Sequence, residues 1–491
     1  MRASKTFVKS LGGTRTIHLH HENLPINFFL KQNKISYSTI SASKLQFGQP
    51  LYETHPHLIM PGEVTPGITA LEYSNRRSRL CSSLPENSIV VSASSSIKYR
   101  SGAVFYEFHQ DPNFFYLTGF NEPEAVAVIQ KVGTSADYIF HLFVRPKDPV
   151  AEQWSGARSG EQAALDVFNA DESGDIKELS KLLLPLISNA SYIYTDLSKP
   201  SKFCQFLRKQ ELNSNKLETL LKNSNVRPLQ PLLNNLRIIK SQAEIKNMYI
   251  AGQASGLSFT NAIRRLWTKE KDLNNFLDYE FKMNGCDTNA YVPVVAGGKN
   301  ALSIHYVRND DLLRDGQLVL VDAGGQYGGY ITDITRSWPI NGRFTDAQRD
   351  LYTAVLEVQR TCISVCRENA SLSLDDIHAI AEKGLVENLR QLGFDMSGNA
   401  VGILFPHHIG HYIGLDVHDC PGYSRSIKLK AGNCVTVEPG VYVPSNDERW
   451  PKHFWNLGIR IEDSICVQYD TPLVFTTKAV KEVIDIESLR D

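Results

Sequence analysis

The stretch HHIGHYIGLDVHD (residues 407–419) decides the fold prediction, because its histidines and glycines recur in the pattern HxxGHxxGxxxH. Glycines at such positions allow the backbone to approach a bound group closely. Working outward, four acidic residues lie in equally distinctive contexts: Asp322 in VDAGG, Asp333 in ITDITRSW, Glu438 in TVEPGVY and Glu462 in GIRIED. Together with His411 they form, in a fixed order along the chain, a set of five potential ligands for hard or borderline divalent cations.

Electrostatics explains why such a set needs cations. Carboxylates about 4 Å apart repel one another by ~4 kcal/mol per pair at an effective dielectric near 20, so the cluster must take up protons or bind cations. Two divalent ions balance four carboxylates. With no thiolate and one imidazole, manganese, cobalt or magnesium is favoured over a structural zinc site. We expect Mn²⁺, with Co²⁺ or Zn²⁺ as alternatives. Because such a pair of ions activates water, the set predicts a metallohydrolase.

Local sequence also indicates how the ligands meet. A strand ending at Asp322, a glycine-rich turn and a returning strand with Asp333 predict a hairpin that places both carboxylates on neighbouring strands. Arg460 and Glu462 are two residues apart on a predicted strand, so both are expected on the same face. Glu438 is expected at a strand end, just before the turn sequence Pro-Gly.

Bulk composition is that of a soluble globular protein of more than one domain. The chain has 491 residues, of which 42% are hydrophobic and 21% charged, and this length is ample for two well-buried cores. A formal net charge of −1 gives no electrostatic case for a nucleic-acid partner. No apolar run approaches the ~20 residues that span a bilayer. Eight cysteines without a CxxC pair favour a reducing compartment.

The first fifty residues differ from the rest. They contain one acidic residue, Glu22, against seven basic residues: Arg2, Lys5, Lys9, Arg15, Lys31, Lys34 and Lys44. A basic, hydroxyl-rich segment without a continuous apolar core predicts a mitochondrial transit peptide over residues 1–50, removed between about residues 30 and 50. The alternative is a disordered basic tail.

The remaining chain reads as two domains. Residues 66–225 predict a smaller α/β domain with strands at Ser88–Ser92, Ala125–Ile129 and Tyr138–Val144. Residues 225–241, rich in Asn and containing two prolines, are predicted to be a linker. Residues 236–491 predict a largely antiparallel α+β domain.

Helix and strand signals within the second domain are local. Capping boxes at Ser241/Glu244 and Thr345/Gln348 predict two helix starts, and a third helix is expected from about Asp375 to Gly393. Strands are expected at Gln317–Val321, Gly329–Trp338, Cys434–Val437 and Gly458–Val467. Cys362 and Cys366, four apart in a helical pattern, are expected to be buried apolar residues.

These motifs resemble those of the aminopeptidase P and prolidase group, the "pita-bread" metallopeptidases. The resemblance extends to DPNFFYLTGFNEPEAVAVI (111–129), to WSGAR (154–158) and to LRIIKSQAEIKNM (236–248). It therefore covers almost everything after about residue 65. It implies a C-terminal pita-bread domain preceded by a smaller α/β domain. The leader and residues 48–77 are most similar to the mitochondrial, intermediate-cleaving branch of the group.

The resemblance also implies roles for individual residues. Asp333 and Glu462 would bridge two metal ions, Asp322 would complete the shell of one ion, and His411 and Glu438 that of the other. Glu438 would also shuttle the proton of the attacking water. His305, His407 and His418 would bind the substrate carbonyl. Arg460 and Tyr442 would steady the metal ligands.

For function, the resemblance implies an aminopeptidase in the mitochondrial matrix that removes one N-terminal residue from peptides or from imported proteins after presequence cleavage. The alternatives are an Xaa-Pro aminopeptidase, a prolidase restricted to dipeptides and, more remotely, a pita-bread binding module without metal. The expected partners are peptide or protein N-termini. A homo-oligomer, with peripheral association at the inner membrane, is also expected.

Overall fold

The protein is described from a computed structural model, which describes residues 46–196 and 225–490. Nearly all of the predicted transit peptide therefore lies outside the described residues. Within the described ranges, no helix is both long enough and apolar enough to cross a bilayer.

The N-terminal part is built on a mixed six-stranded sheet. The N-terminal part has ten strands among the described residues, six of which form this sheet. They are β1 Glu63–Thr65, β2 Ile68–Thr69, β3 Ser88–Ala93, β4 Tyr99–Ser101, β5 Val104–Phe105, β6 Val126–Lys131, β7 Tyr138–Val144, β8 Glu172–Asp175, β9 Tyr192–Tyr194 and β10 Val226–Arg227. Its helices are α1 Ala70–Ser82, α2 Pro112–Thr118, α3 Pro149–Ser155, α4 Gly160–Asp166 and α5 Leu179–Ser188. The large sheet has the order β10-β9-β3-β6-β7-β8. The three strands predicted for this part are all present as β3, β6 and β7.

The C-terminal part alternates long helices with short antiparallel strands. Its helices are α6 Gln230–Arg237, α7 Gln242–Ile263, α8 Glu270–Met283, α9 Asp346–Val365, α10 Leu374–Gln391, α11 Ala400–Leu404 and α12 Val483–Ser488. Its strands are β11 Thr288–Asn289, β12 Val294–Gly297, β13 Leu318–Ala323, β14 Gly325–Tyr327, β15 Tyr330–Ile331, β16 Ile334–Pro339, β17 Cys434–Val437, β18 Gly440–Tyr442, β19 Gly458–Arg460, β20 Asp463–Cys466 and β21 Leu473–Val474. Short 3-10 helices occur at Gly298–Leu302, Glu368–Ala370 and Lys452–Phe454, and one at Ile176–Glu178 in the N-terminal part. The antiparallel pairing agrees with the predicted α+β class.

Local signals fixed the helix starts. The two predicted capping boxes are both formed, at the first turns of α7 and α9. Helix α10 ends at Gln391, and Gly393 follows with a φ of +86°. A glycine adopts this left-handed conformation without strain, so it stops the helix where predicted. The predicted linker, by contrast, contains helix α6, whose proline lies in the first turn, where its missing N–H is tolerated.

Two predicted strands are interrupted, and both interruptions lie at the predicted ligands. The strand expected over Gly329–Trp338 is split into β15 and β16, with Asp333 in the gap. The strand expected over Gly458–Val467 is split into β19 and β20, which belong to different sheets. The prediction that Arg460 and Glu462 share one strand is therefore wrong, because the regular strand ends at Arg460.

One hydrophobic core supports these strands from behind. It joins residues of α7 to α11 with the inner faces of the strands. Its strand residues include Val319, Val321, Val435 and Ile465. Cys362 and Cys366 are buried free thiols, as expected. Because β16, β19 and β20 are anchored in this core, their end residues are held in fixed positions.

Candidate active site

The predicted ligands lie where strands end. Asp322 is the fifth residue of β13 and pairs with Thr335 of β16, while Asp333 immediately precedes β16. Glu438 follows β17, and Glu462 lies between β19 and β20. The histidine motif is held alongside β17 because the Thr436 N–H donates to the carbonyl of His411 over 2.9 Å.

Contacts connect all five predicted ligands. One ligand atom from each of Asp333, His411 and Glu462 lies within 4.8 Å of the others. The Nε2 atom of His411 is 3.5 Å from Asp333 Oδ2 and 3.5 Å from Glu438 Oε1. The fifth ligand, Asp322, accepts a hydrogen bond of 2.6 Å from the hydroxyl of Tyr291, whose oxygen also lies within hydrogen-bonding distance of Asp333 Oδ1. The structure thus brings together the residues that the sequence spread over 141 positions (322 to 462).

Tyr291 is a site residue that the sequence prediction missed. Its hydroxyl lies between the carboxylates of Asp322 and Asp333, and burial together with these charges raises its pKa well above the usual value. It therefore stays a neutral donor. The only sequence signal was a tyrosine just ahead of the apolar run VPVVAG (292–297), which is too common a pattern to indicate a site.

Arg460 connects the ligands to the outer residues. Its buried guanidinium donates to Asp322, to the hydroxyl of Tyr442 over 2.7 Å and to Thr335 Oγ1 over 3.0 Å. Thr335 in turn donates to Glu462 Oε2 over 2.6 Å. One planar side chain thereby fixes ligands from different strands.

The same chain of hydrogen bonds fixes the tautomer of His407. Because Tyr442 accepts from Arg460, its hydroxyl proton is free to donate to His407 Nε2, 2.9 Å away. The Nδ1–H of His407 then donates to the His408 carbonyl over 3.0 Å. Burial, reinforced by the charge of Arg460, lowers the pKa of His407 to about 3, so the ring is neutral. Both ring nitrogens of His407 are engaged by the protein in this arrangement.

The other two outer histidines face solvent. His305 and His418 are exposed, and the His418 ring packs edge-on against the His411 ring, with centroids 4.4 Å apart. Burial lowers the pKa of His418, and its neighbours His411 and His305 lower it further, so the His305 and His418 rings lie near the same space. This open side is where a ligand can approach His411.

Electrostatics shows how crowded the carboxylates are. Burial, with the neighbouring carboxylates, raises the pKa of Glu462 well above its usual value and that of Glu438 to about 7. Burial raises the pKa of Asp322 to about 6, although Arg460 opposes the shift. For His411, burial favours the neutral ring, but Asp333 and Glu438 outweigh it and raise the pKa to about 9. Such a cluster takes up protons unless cations neutralise it.

One carboxylate oxygen among the predicted metal ligands has no hydrogen-bond partner among the described residues. This atom is Glu462 Oε1, which is fully buried. A buried carboxylate oxygen normally finds a donor, since leaving it unpaired is costly. An acceptor left open beside Asp333 and His411 fits a cation ligand. The residues present therefore suit divalent metal.

This α+β domain, with acidic strand ends gathered around one imidazole, defines a metallopeptidase of the pita-bread fold. Residues 246–469 match the model of metallopeptidase family M24, and residues 73–194 match that of the aminopeptidase P N-terminal domain. The chain belongs to family M24, within its aminopeptidase P group, and is a hydrolase of the aminopeptidase type.

Individual relatives place it more narrowly. The chain is 48% identical to intermediate cleaving peptidase 55 of Saccharomyces cerevisiae, over 91% of this chain and 89% of the relative. A crystal structure of that protein matches with a TM-score of 0.81, covering 88% of this chain and 99% of the other. Xaa-Pro aminopeptidase 3 of Rattus norvegicus is 38% identical over 90% of each chain. The Arabidopsis thaliana protein called intermediate cleaving peptidase 55, mitochondrial, is 35% identical over 92% of this chain and 89% of its own length.

Proposed function

We propose that Asp322, Asp333, His411, Glu438 and Glu462 hold two divalent metal ions, with Mn²⁺ as the metal and Asp333 and Glu462 as the bridging ligands. The observation that carries this proposal is the contact network among the five residues, together with the unpaired oxygen of Glu462. Two ions would offset the four carboxylate charges that otherwise repel. When bound, they would lower the pKa of a water molecule and so supply a nucleophile at neutral pH.

The chain's own residues would divide the remaining work. Glu438 faces the imidazoles of His411 and His407, at 3.5 Å and 3.9 Å, and would accept the proton of the attacking water and return it to the leaving amine. His305 and His418, on the open side, would donate to the substrate carbonyl as negative charge develops on its oxygen. Arg460, through Tyr442, would keep His407 neutral and oriented.

For substrate, we propose the removal of a single N-terminal residue from peptides and from mitochondrial protein intermediates after presequence cleavage. The support is the name of the yeast relative, intermediate cleaving peptidase 55, at 48% identity. The second candidate is cleavage at Xaa-Pro, favoured by the rat relative, Xaa-Pro aminopeptidase 3, at 38% identity.

Within the chain we place the N-terminal domain at residues 66–225 and the catalytic domain at residues 236–491.

Matched peptides separate these candidates. We expect the manganese-loaded protein to remove Tyr, Leu or Phe from peptides of three or more residues whether or not proline is second. The Asp333→Ala protein, purified identically, controls for contaminating peptidases. Cleavage of Xaa-Pro peptides alone would leave the second candidate, and cleavage of dipeptides alone would indicate a prolidase. N-terminal profiling of mitochondrial proteins with and without the enzyme then identifies the physiological substrates.

We also propose that the chain acts in the mitochondrial matrix after import, directed by residues 1–50. The seven basic residues against Glu22 support this proposal, as does the word "mitochondrial" in the name of the Arabidopsis relative.

Fusing residues 1–50 to a fluorescent reporter is expected to direct the reporter to mitochondria. Replacing the seven basic residues with Gln is the matched control and should leave the reporter in the cytosol. A wild-type fusion that stays cytosolic contradicts the targeting proposal. The homo-oligomer and the peripheral membrane association stay predictions.

A further inference from the structure

A buried cluster of charges lies directly behind the histidine motif. Lys240 Nζ is 2.9 Å from Asp419 Oδ2, and Arg237 donates to the other oxygen of Asp419 and, over 3.1 Å, to Asp416 Oδ2. The side chains of Arg237, Lys240 and Asp419 are at most 3% exposed. Two cations thus face two carboxylates, and the cluster is electrically balanced.

Asp419 is the residue after His418, and its contacts fix the loop that carries this histidine. The backbone N–H of Asp419 donates to the Tyr412 carbonyl over 2.8 Å, which ties the residue after His418 to the residue after His411. This tie closes the loop between the two histidines, whose rings are in edge-on contact.

The loop packs too tightly against the cluster for any side chain larger than hydrogen at position 414. A Cβ atom on Gly414 would lie 2.5 Å from Asp419 Oδ2 and 2.9 Å from Lys240 Cε. Neither atom can retreat easily, because both belong to the buried ion pair. The backbone and the charges therefore fix each other's position.

The cluster also reaches the N-terminal part of the chain. Arg237 Nη1 donates to Asn113 Oδ1 of helix α2 over 2.6 Å, and Asn113 Nδ2 donates to Gln230 of helix α6 over 2.8 Å. Arg237 is thus shared between helix α2 and the loop that ends at His418.

Stability alone does not account for such a cluster. Burying charges is costly, and apolar residues of similar volume often give equal or better stability. A fully hydrogen-bonded charge network, however, permits one geometry and rejects others. In this protein, the network contacts the loop between His411 and His418 and holds it in one position.

We propose that Arg237, Lys240 and Asp419 are positioning residues that hold His418 beside His411 for the substrate carbonyl. This inference rests on the proposed role of His418. Because His418 would act as negative charge develops on the carbonyl oxygen, displacing it should lower kcat more than it raises KM. Small displacements of a catalytic group can cost up to ~10²-fold in rate.

A double-mutant cycle tests the proposal on the full-length, manganese-loaded enzyme. We expect His418→Ala to lower kcat by ~10²-fold, and Lys240→Met and Asp419→Asn each by ~10-fold or more with KM changed less than ~2-fold. Each double variant with His418→Ala should be no slower than His418→Ala alone. Non-additivity of this kind shows that a residue acts through His418, which a loss of stability does not produce.

Lys131→Met is the matched control. Lys131 is also buried, and it donates to the carbonyls of Cys81 and Leu84 in the N-terminal part. It should lower the melting temperature without changing kcat of the folded enzyme. If Asp419→Asn does not fold, Lys240→Met carries the test.

The outcomes separate the two claims. Full multiplication of the single effects in the double variants, or a Lys240→Met enzyme with the kcat of Lys131→Met, overturns the positioning proposal and leaves the role of His418 intact. Wild-type kcat in His418→Ala overturns the proposed role of His418 and this inference with it.

Discussion

Asp333→Ala is expected to abolish turnover while leaving the fold intact. The carboxylate of Asp333 contacts His411 and Tyr291. One of its oxygens also lies within 4.8 Å of a Glu462 oxygen. Its loss should remove a bridge between two ions, and kcat should fall by more than ~10³-fold. The metal-free variant should still fold, although it loses the contact of Asp333 with His411.

Steady-state kinetics and thermal melting, with and without Mn²⁺, measure both expectations. Added Mn²⁺ should raise the melting temperature of the wild type far more than that of Asp333→Ala, since a ligand stabilises only the state that binds it. Wild-type turnover in Asp333→Ala would contradict the assignment of the bridging ligand.

Arg460→Met is expected to reduce both activity and stability. The guanidinium contacts Asp322, Thr335 and Tyr442 at once, and it is the cation buried among the carboxylates. Without it, Asp322 loses its partner and Tyr442 is no longer fixed against His407. We expect kcat/KM to fall by ~10² to 10³-fold and the melting temperature of the metal-free protein to fall.

Arg460→Lys provides the matched control for charge. A lysine keeps the positive charge but presents one ammonium, which cannot reproduce a planar fork that donates in three directions. It should therefore recover part of the melting temperature and little of the activity. Wild-type kcat/KM in Arg460→Lys would show that only the charge of Arg460 matters, and the proposed orientation of His407 through Tyr442 would be wrong.

The features that could be predicted from sequence are those encoded by neighbouring residues. The capping boxes of α7 and α9 are formed, since each depends on side chains three residues apart. The contexts of the five ligands likewise indicated one site, which the contact network fits. Their individual roles stay predictions, as do the domain boundaries.

The features that could not be predicted depend on distant partners. The strand breaks at Asp333 and at Glu462 arise where the chain passes from one sheet to another, which local sequence does not encode. The Ser464 hydroxyl accepts from the Asp333 N–H over 3.0 Å, a contact across 131 residues. Tyr291 was missed for the same reason: its two partners follow 31 and 42 residues later.

The buried cluster behind the histidine motif was also beyond prediction. Lys240 lies in the capping region of α7, where a lysine normally faces solvent, and only the folded chain places it 2.9 Å from Asp419. Helix α6 similarly forms within a segment whose composition indicates a linker, because Leu233 and Arg237 become buried against the rest of the protein.

Metal content per chain tests the central claim most directly. The purified protein, stripped with chelator, reloaded with Mn²⁺ and desalted, is analysed by elemental mass spectrometry beside Asp333→Ala. The two-ion site predicts about two Mn²⁺ per wild-type chain and fewer than one in the variant, because Asp333 would bridge both ions. A wild-type protein that retains no stoichiometric manganese, cobalt or zinc after reloading would contradict the claim.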